Sequence, residues 1–225
     1  MKTILKKIYT WFPDPHFRIF RNLRLFNWLN QNAYGKKVLN LGSGIGDFDK
    51  FISKDTHVVN FDIDFSKPNL NIVGDAHDLP FKNESFDIVY SISVLEHVRK
   101  PWVVSDEINR ILKLGGHIVL DVPFLSAIHD ENDYFRFTDK GIRSLFDEEK
   151  FEVVFEQVGS AGGSFLSVFL YVYLKQFIPT RILKVMWEIS TRYFLCLFKY
   201  LDMFIDSSET MRITANSFSY IGRKR

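Results

Sequence analysis

Three glycines at alternate positions, Gly42, Gly44 and Gly46, follow the apolar run Val38-Leu39-Asn40-Leu41 and precede Asp47. A buried strand that stops there must turn sharply and hand over to a helix while its backbone passes close to a ligand. Glycine permits this because it lacks a Cβ and tolerates positive φ. A second apolar run, His57 to Phe61, ends in Asp62, a carboxylate placed to take two hydrogen bonds from a ribose diol. Asp64 shares the side-chain parity of Asp62, so either can be the ribose ligand; Asp62 is favoured because it directly ends the apolar run. Spacing then separates two nucleotide-type ligands. A dinucleotide fingerprint puts its third glycine three residues after the second, so that a helix N-terminus faces a pyrophosphate. Here the glycines alternate and Asp47 follows, where a diphosphate meets like charge, whereas the ammonium and sulfonium of S-adenosylmethionine suit the aspartate. A short third strand, Asn71-Ile72-Val73, closes on Gly74-Asp75-Ala76, and Asp75 there can accept from an adenine amino group.

Ser85 to Ser91 reads as a fourth strand, followed by Ser93-Val94-Leu95-Glu96-His97-Val98. The stretches VLNLGSGIGDF, VVNFDID, GDAHDLPF and SFDIVYSISVLEHV fall in an order that resembles the class I S-adenosylmethionine-dependent methyltransferases. The resemblance is to the small-molecule subgroup that includes quinone-biosynthesis enzymes, and it covers residues 36–158. It implies that Gly42, Gly44 and Gly46 pass the methionine portion of the cofactor. It also implies that Asp62 holds the ribose hydroxyls, that Asp75 and Ala76 contact adenine, and that Ser91 joins the cofactor contacts.

Methyl transfer is an in-line displacement, so a protein chiefly aligns the nucleophile and, for an oxygen nucleophile, removes a proton. Two histidines are candidates for the base. His97 follows the fourth strand, on the segment that borders the methyl group in the resembling family. His129 lies in the dense stretch Pro123 to Thr138 that emerges from the carboxyl end of the fifth strand, where ligands of open α/β sheets sit. That stretch resembles the His…Asp-Tyr-x-Arg-Phe/Tyr-Thr segment of bacterial surface-glycan methyltransferases, with Glu131-Asn132 standing where a proline is often found. His129 is the first choice for the base and Asp133 its orienting partner. Tyr134 and Arg136 are candidates to bind a hydroxylated or anionic acceptor, the other reading of Arg136 being an internal salt bridge with Asp133 or Asp130. Thr138 is expected to cap the next helix. No residue is assigned to a metal.

The elements that position these groups alternate strand and helix, which predicts a Rossmann-like α/β fold: a doubly wound, mostly parallel sheet with an antiparallel last strand. A basic, aromatic-rich helical stretch is expected over 16–33 within an N-terminal extension, 1–35. The core is expected over 36–158, with a helix from Pro101 ended by Lys113-Leu114-Gly115-Gly116 and a fifth strand over His117–Val122. A sixth strand is expected over Phe151–Val158 and the last over Ser217–Gly222, within a closing segment 215–225 that also holds the basic tail. An apolar helical insertion, 159–214, separates these last two strands. Its apolar runs are too short or too interrupted to span a bilayer as helices.

The 225 residues suffice for a full core, and the single cysteine, Cys196, excludes an intramolecular disulfide framework and points to a reduced compartment. No secretion signal is evident at the N-terminus. Residues 1–37 hold eight Lys or Arg against one acid, and 38–170 hold twelve against twenty-two. An acidic centre agrees with a cationic cofactor. The basic ends, together with the apolar stretches of 165–205, fit peripheral binding to an anionic membrane face on the cytoplasmic side; cover for the sheet and a homodimer interface are the other readings. Nucleic acid is disfavoured, because the basic residues sit among large aliphatics and no recognised module appears. The expected activity is O-methylation of a sugar or lipid-linked glycan. Methylation of a soluble or quinone-like molecule and a non-catalytic cofactor-binding subunit are the alternatives.

Overall fold

The computed structural model describes residues 23–44, 52, 55–160, 162–180, 183–184, 186–187, 190 and 212–225. Helix α1 (Leu23–Asn32) leads into β1 (Lys37–Leu41), β2 (His57–Asp62), β3 (Ile72–Val73) and β4 (Phe86–Ile92). A 3-10 turn (Leu95–His97), helix α2 (Pro101–Ile111), β5 (Leu112–Pro123), α3 (Asp139–Leu145), β6 (Phe151–Ser160), α4 (Gly162–Lys175) and β7 (Ser217–Lys224) follow. The strands form a seven-stranded sheet in the order β3-β2-β1-β4-β5-β7-β6. Pairing is parallel from β3 through β5, and β7 runs antiparallel to β5. This is the expected Rossmann-like architecture. The strand order reverses between β1 and β4, so both strands end at one edge beside a crevice.

The central strands are buried almost throughout, which is why they read as continuous apolar runs rather than alternating ones. Under one face Leu25, Phe26, Leu29 and Ala33 of α1 and its exit pack with Val38, Ile88, Tyr90, Val119 and Ile221. Part of the stretch expected as an N-terminal extension is thus a core helix. Residues 1–22, including the start of the helix expected over 16–33, lie outside the described residues.

A polar stitch joins β1, β2 and the segment that leads into β3. Asn40 Nδ2 donates to Asn60 Oδ1 at 2.9 Å, and both side chains are buried. Asn60 in turn donates through Nδ2 to Asn69 O at 3.1 Å, and its main-chain N–H donates to Asn71 Oδ1 at 2.7 Å.

Helix α2 begins at Pro101, where the missing N–H costs nothing, and ends at Ile111. The expected helix stop at Lys113–Gly116 is instead the start of β5, with Leu112 opposite Phe86 and a register shift before Ile88. A Cβ on Gly116 would lie 2.8 Å from Lys113 O and 3.0 Å from Asp87 O. The glycine therefore marks a close approach of backbones and not a helix end. Strands β6 and β7 extend two residues beyond their expected ends, to Ser160 and Lys224.

The chain divides into two compact units, one comprising Leu23–Gln157 with Ser217–Arg225, the other taking in Val158–Asn216. In the second unit α4 carries an exposed stripe, Leu166, Phe169 and Tyr173, continued by Phe177 past the helix end. Phe169 and Tyr173 stack at 5.4 Å, and Tyr173 meets Phe177 edge-on at 5.2 Å. Among the described residues no helix is long and apolar enough to cross a membrane.

Candidate active site

At the end of β1 the backbone turns through Gly42 and Gly44, both at positive φ (72° and 54°). They differ in what surrounds them. A Cβ on Gly42 would stand 2.3 Å from a methyl of Val94, whereas one on Gly44 would meet nothing within 4 Å. Gly42 is therefore demanded by packing, and Gly44 faces open space. Phe61 O accepts from the N–H groups of Gly42 and Ser43, at 2.8 and 3.0 Å, which moors the turn to β2. Gly46 and Asp47 lie outside the described residues.

Asp62 stands beside this turn. Its Oδ2 accepts the Gly44 N–H at 2.8 Å and its Oδ1 accepts the Asp64 N–H at 2.9 Å. Each oxygen keeps a second lone pair for a ligand hydroxyl. Asp64 is engaged elsewhere: its carboxylate takes the N–H and hydroxyl of Ser66 and pairs with Lys67 at 3.1 Å. The Ser66 hydroxyl and N–H, with Lys67, hold its carboxyl down to about 2. Of the two aspartates, Asp62 is the one bonded to the glycine turn.

Beyond β3, Gly74 crosses the ring of Phe61 so closely that a Cβ would come within 2.8 Å of it. Asp75 follows, exposed, with Oδ1 accepting from the N–H of His77 at 2.9 Å and facing its Nδ1 at 2.6 Å; the N–H first and then the ring lower its carboxyl pKa. His77 Nε2 accepts the Lys100 N–H at 3.3 Å, so the Asp75-Ala76 turn is joined to the start of α2. The loop after it is braced by a pair the sequence reading passed over. Arg110 donates to Leu79 O, Phe81 O and Asn83 Oδ1 and is paired with Glu107, which accepts the Leu79 N–H. The signal available in the sequence was the i, i+3 spacing of the two on one helix.

Ser91 is buried in β4, and neither its Oγ nor that of Ser43 has a hydrogen-bond partner among the described residues. Two unpartnered hydroxyls, a glycine turn open at Gly44 and a carboxylate with spare acceptor capacity form a donor and acceptor set that fits S-adenosylmethionine.

The other half of the site begins at Ser93, whose φ of 55° bends the chain out of β4 into the 3-10 turn. Glu96 O then accepts the N–H groups of Tyr134 and Phe135, at 2.8 and 3.2 Å, and Pro123 O accepts that of Phe137. These bonds fold the 124–138 loop onto the turn. They bring together residues 32 positions apart: His97 Nε2 and His129 Nε2 are separated by 3.2 Å, with the rings edge to face.

Asp133 touches His129 twice, accepting its main-chain N–H at 3.0 Å and standing 3.1 Å from Nδ1. The Asp133 side chain has no exposed surface, and the Arg136 guanidinium holds its carboxyl well below the usual range. Arg136 forks onto both Asp133 oxygens and also donates to Ser126 O, Ala127 O and Phe135 O. All five of its N–H donors are thereby used inside the loop. Of the two readings of Arg136 the internal salt bridge, with Asp133, is the one found, and no donor is left for an acceptor molecule. Tyr134 is different, being partly exposed, with its hydroxyl donating to Asn132 Oδ1 and accepting from Arg99 Nε. Thr138 caps α3 by accepting the Gly141 N–H at 3.0 Å.

A family model described as a methyltransferase domain matches residues 39–120. A ubiquinone/menaquinone biosynthesis C-methyltransferase of Ruegeria sp. (strain TM1040) is 26% identical over 149 residues, 58% of this chain and 54% of that protein. An uncharacterized protein of Methanocaldococcus jannaschii is 30% identical over 146 residues, 61% of this chain and 64% of its own length. The chain thus spans between about half and two thirds of these curated relatives. Among solved structures, the complex of a Haloferax volcanii methyltransferase activator with a putative methyltransferase matches with a TM-score of 0.60 at 18% identity, covering 92% of this chain and 90% of that one. A putative sarcosine dimethylglycine methyltransferase from Galdieria sulphuraria gives 0.55 at 16% identity, covering 90% and 86%. At these identities the structures speak to the fold, and the matched segment holds the glycine turn, Asp62, Asp75 and the end of β4. Residues 39–120 therefore match a methyltransferase domain, within a sheet of the Rossmann-like order expected of the class I S-adenosylmethionine-dependent methyltransferases that the sequence resembles.

Proposed function

We propose that this protein is an S-adenosylmethionine-dependent methyltransferase that methylates an oxygen of a small acceptor, a sugar or a lipid-linked glycan, at the cytoplasmic membrane face. The observation that carries the reading is the imidazole pair at the carboxyl ends of β4 and β5, on the same sheet edge as the glycine turn and Asp62. Asp62 holds the ribose diol, the backbone at Gly42 and Gly44 lies along the methionine portion, Asp75 and Ala76 face adenine, and the Ser91 hydroxyl is available as a donor. Bound S-adenosylmethionine supplies a methyl on a sulfonium, so that carbon–oxygen bond formation is matched by carbon–sulfur cleavage with the electron pair returning to sulfur.

The remaining work belongs to the protein's own side chains. The acceptor hydroxyl is presented to the histidine pair, and His129 Nε2 takes its proton, with His97 as its neighbour and Asp133 holding the His129 ring. The partly exposed ring of Tyr134, 5.8 Å from the Arg99 guanidinium, offers a flat polar-edged surface suited to a sugar face. The exposed aromatic stripe that includes Phe169 and Tyr173 of α4, with Lys175 at its end, supports docking of the second unit to a lipid interface. The Ruegeria relative, named as a C-methyltransferase, favours a second reading, a quinone-like acceptor.

The test is transfer of labelled methyl from S-adenosylmethionine to candidate glycolipid and quinone extracts, read by mass spectrometry. Turnover should fall by roughly 10²–10⁴-fold in His129→Ala with cofactor affinity nearly unchanged. A larger loss in His97→Ala would move the base to that residue. No transfer to any hydroxylated acceptor, with methylated carbon in the quinone fraction, would replace the first reading by the second.

A further inference from the structure

We propose that Glu96, His97 and His129 form a binding site for a divalent transition-metal cation on the acceptor side of the domain. This deepens the reading above, since it rests on that end of the sheet receiving the acceptor.

The hydrogen bonds decide which ring nitrogens are free. His97 Nδ1 lies 2.9 Å from Asn132 O, and a carbonyl only accepts, so the ring hydrogen of the neutral imidazole sits on Nδ1. His129 Nδ1 faces Ala127 O at 3.3 Å and Asp133 Oδ2 at 3.1 Å, which assigns its hydrogen in the same way. Both Nε2 atoms therefore carry lone pairs, and the two atoms stand 3.2 Å apart. Two lone pairs at that distance repel unless something positive lies between them.

Distance and stoichiometry favour a metal ion over a shared proton. With metal–nitrogen bonds of about 2.0–2.1 Å, two ligands of a tetrahedral ion stand about 3.3 Å apart, close to the observed separation. A third ligand type is at hand. Glu96 has no exposed surface, and its Oε1 lies 3.9 Å from His97 Nε2; all three ligand atoms fall within 4.8 Å of one another. The carboxylate is the arm that must draw in. A shared proton would use two nitrogens and leave this carboxylate aside, whereas a divalent ion takes all three groups and is left with one positive charge. The outer contacts also suit a metal: each imidazole is oriented through Nδ1 by a carbonyl or carboxylate, the arrangement that fixes the tautomer of metal-bound histidine. The His97 and His129 side chains remain 26% and 44% exposed, so a cation here keeps open positions for water or an acceptor oxygen. Two imidazoles and one carboxylate suit borderline ions such as zinc, cobalt or iron(II) rather than magnesium or calcium.

The cation changes how the proton leaves. Charge withdrawn from the acceptor hydroxyl lets its O–H bond break with the electron pair staying on oxygen and the proton passing to solvent water. With the cation bound, His129 is a ligand in place of the base named above, and the turnover loss in His129→Ala arises from loss of the cation.

Cobalt(II) is the probe. The purified full chain is stripped with a chelator and titrated with cobalt(II), binding being followed by d–d absorption and by calorimetry without acceptor or cofactor. One equivalent should bind, and His97→Ala, His129→Ala and Glu96→Gln should each weaken binding by about 10–100-fold or more. If Glu96→Gln fails to fold, as judged by near-ultraviolet circular dichroism, His129→Ala decides, its site being half exposed. Absence of the absorption bands, or cobalt affinity unchanged in His129→Ala, would overturn the site. Methyl transfer that persists in chelator-treated protein binding no cobalt would remove the cation and leave the transferase reading intact. Cobalt binding in a protein with no affinity for S-adenosylmethionine would do the reverse.

Discussion

Replacing Asp133 by alanine removes the anchor of the loop that carries His129. The carboxylate, fully buried, receives both Nη groups of Arg136 and the main-chain N–H of His129. A hydrogen bond to a charged group contributes about 1.5–3 kcal/mol, and stranding one member of a buried ion pair costs about 3–5 kcal/mol. Arg136 would not be stranded completely, because it keeps the carbonyls of Ser126, Ala127 and Phe135 and is 23% exposed. The expected loss is therefore about 2–4 kcal/mol, read as the difference between wild-type and mutant urea unfolding curves.

The pH dependence supplies a sign that packing loss alone would not. The Asp133 carboxyl is held below its ordinary value of 3.8, chiefly by Arg136. Its contribution is thus complete above the unfolded-state value and is lost as pH falls through the folded one. The gap between wild type and mutant should accordingly be full near pH 7 and smaller near pH 2.5. A loss under about 0.5 kcal/mol, or a gap of the same size at both pH values, would refute the assignment of Asp133 as a charged anchor.

Three further outcomes are expected. Asp62→Ala should weaken S-adenosylmethionine binding by about 1.5–3 kcal/mol in calorimetry, whereas Asp64→Ala, removing a carboxylate engaged in its own loop, should change it little; the opposite order would move the ribose contact two residues on. Gly42→Ala should cost about 2–4 kcal/mol of stability, combining positive φ with a clash against Val94, and Val94→Ala should recover part of it; full stability in the single mutant would contradict the packing described. Sedimentation with liposomes should show pelleting that rises with anionic lipid and falls with salt and with Lys175→Glu plus Lys184→Glu. Protein that stays in the supernatant at low salt, with a dimer in light scattering, would give the apolar faces to a subunit interface.

The strands were legible because burial on both faces leaves continuous apolar runs, and because β1, β2 and β3 run directly into a glycine or aspartate at their carboxyl ends. The junction of α2 and β5 was not, since Gly115-Gly116 after a helical run has the composition of a C-terminal stop. What sets the boundary is pairing with Phe86, a contact between residues 26 apart. In the site, the residue types of the 124–138 loop were readable but their directions were not. Arg136 has the chemistry of an anion binder, and only the positions of three carbonyls and Asp133 show its donors to be consumed. Glu96 escaped notice for a related reason. Nothing in its spacing between Leu95 and His97 marks it as buried, and the loop that returns to donate the N–H groups of Tyr134 and Phe135 to its main-chain carbonyl is distant in sequence.

The Asn40–Asn60 stitch limits how this sequence can drift. In a sheet of interchangeable apolar residues, β2 could slide against β1 and still bury its side chains, but any displacement would break the hydrogen bond between two buried amides. Alignment is thereby made all-or-none, and Asp62 arrives opposite the glycine turn because two asparagines meet two residues earlier. Exchange of either asparagine alone removes their shared hydrogen bond, while joint exchange for an apolar pair frees the strand to slip. Each single exchange costs a buried hydrogen bond, so the pair constrains substitution inside the sheet.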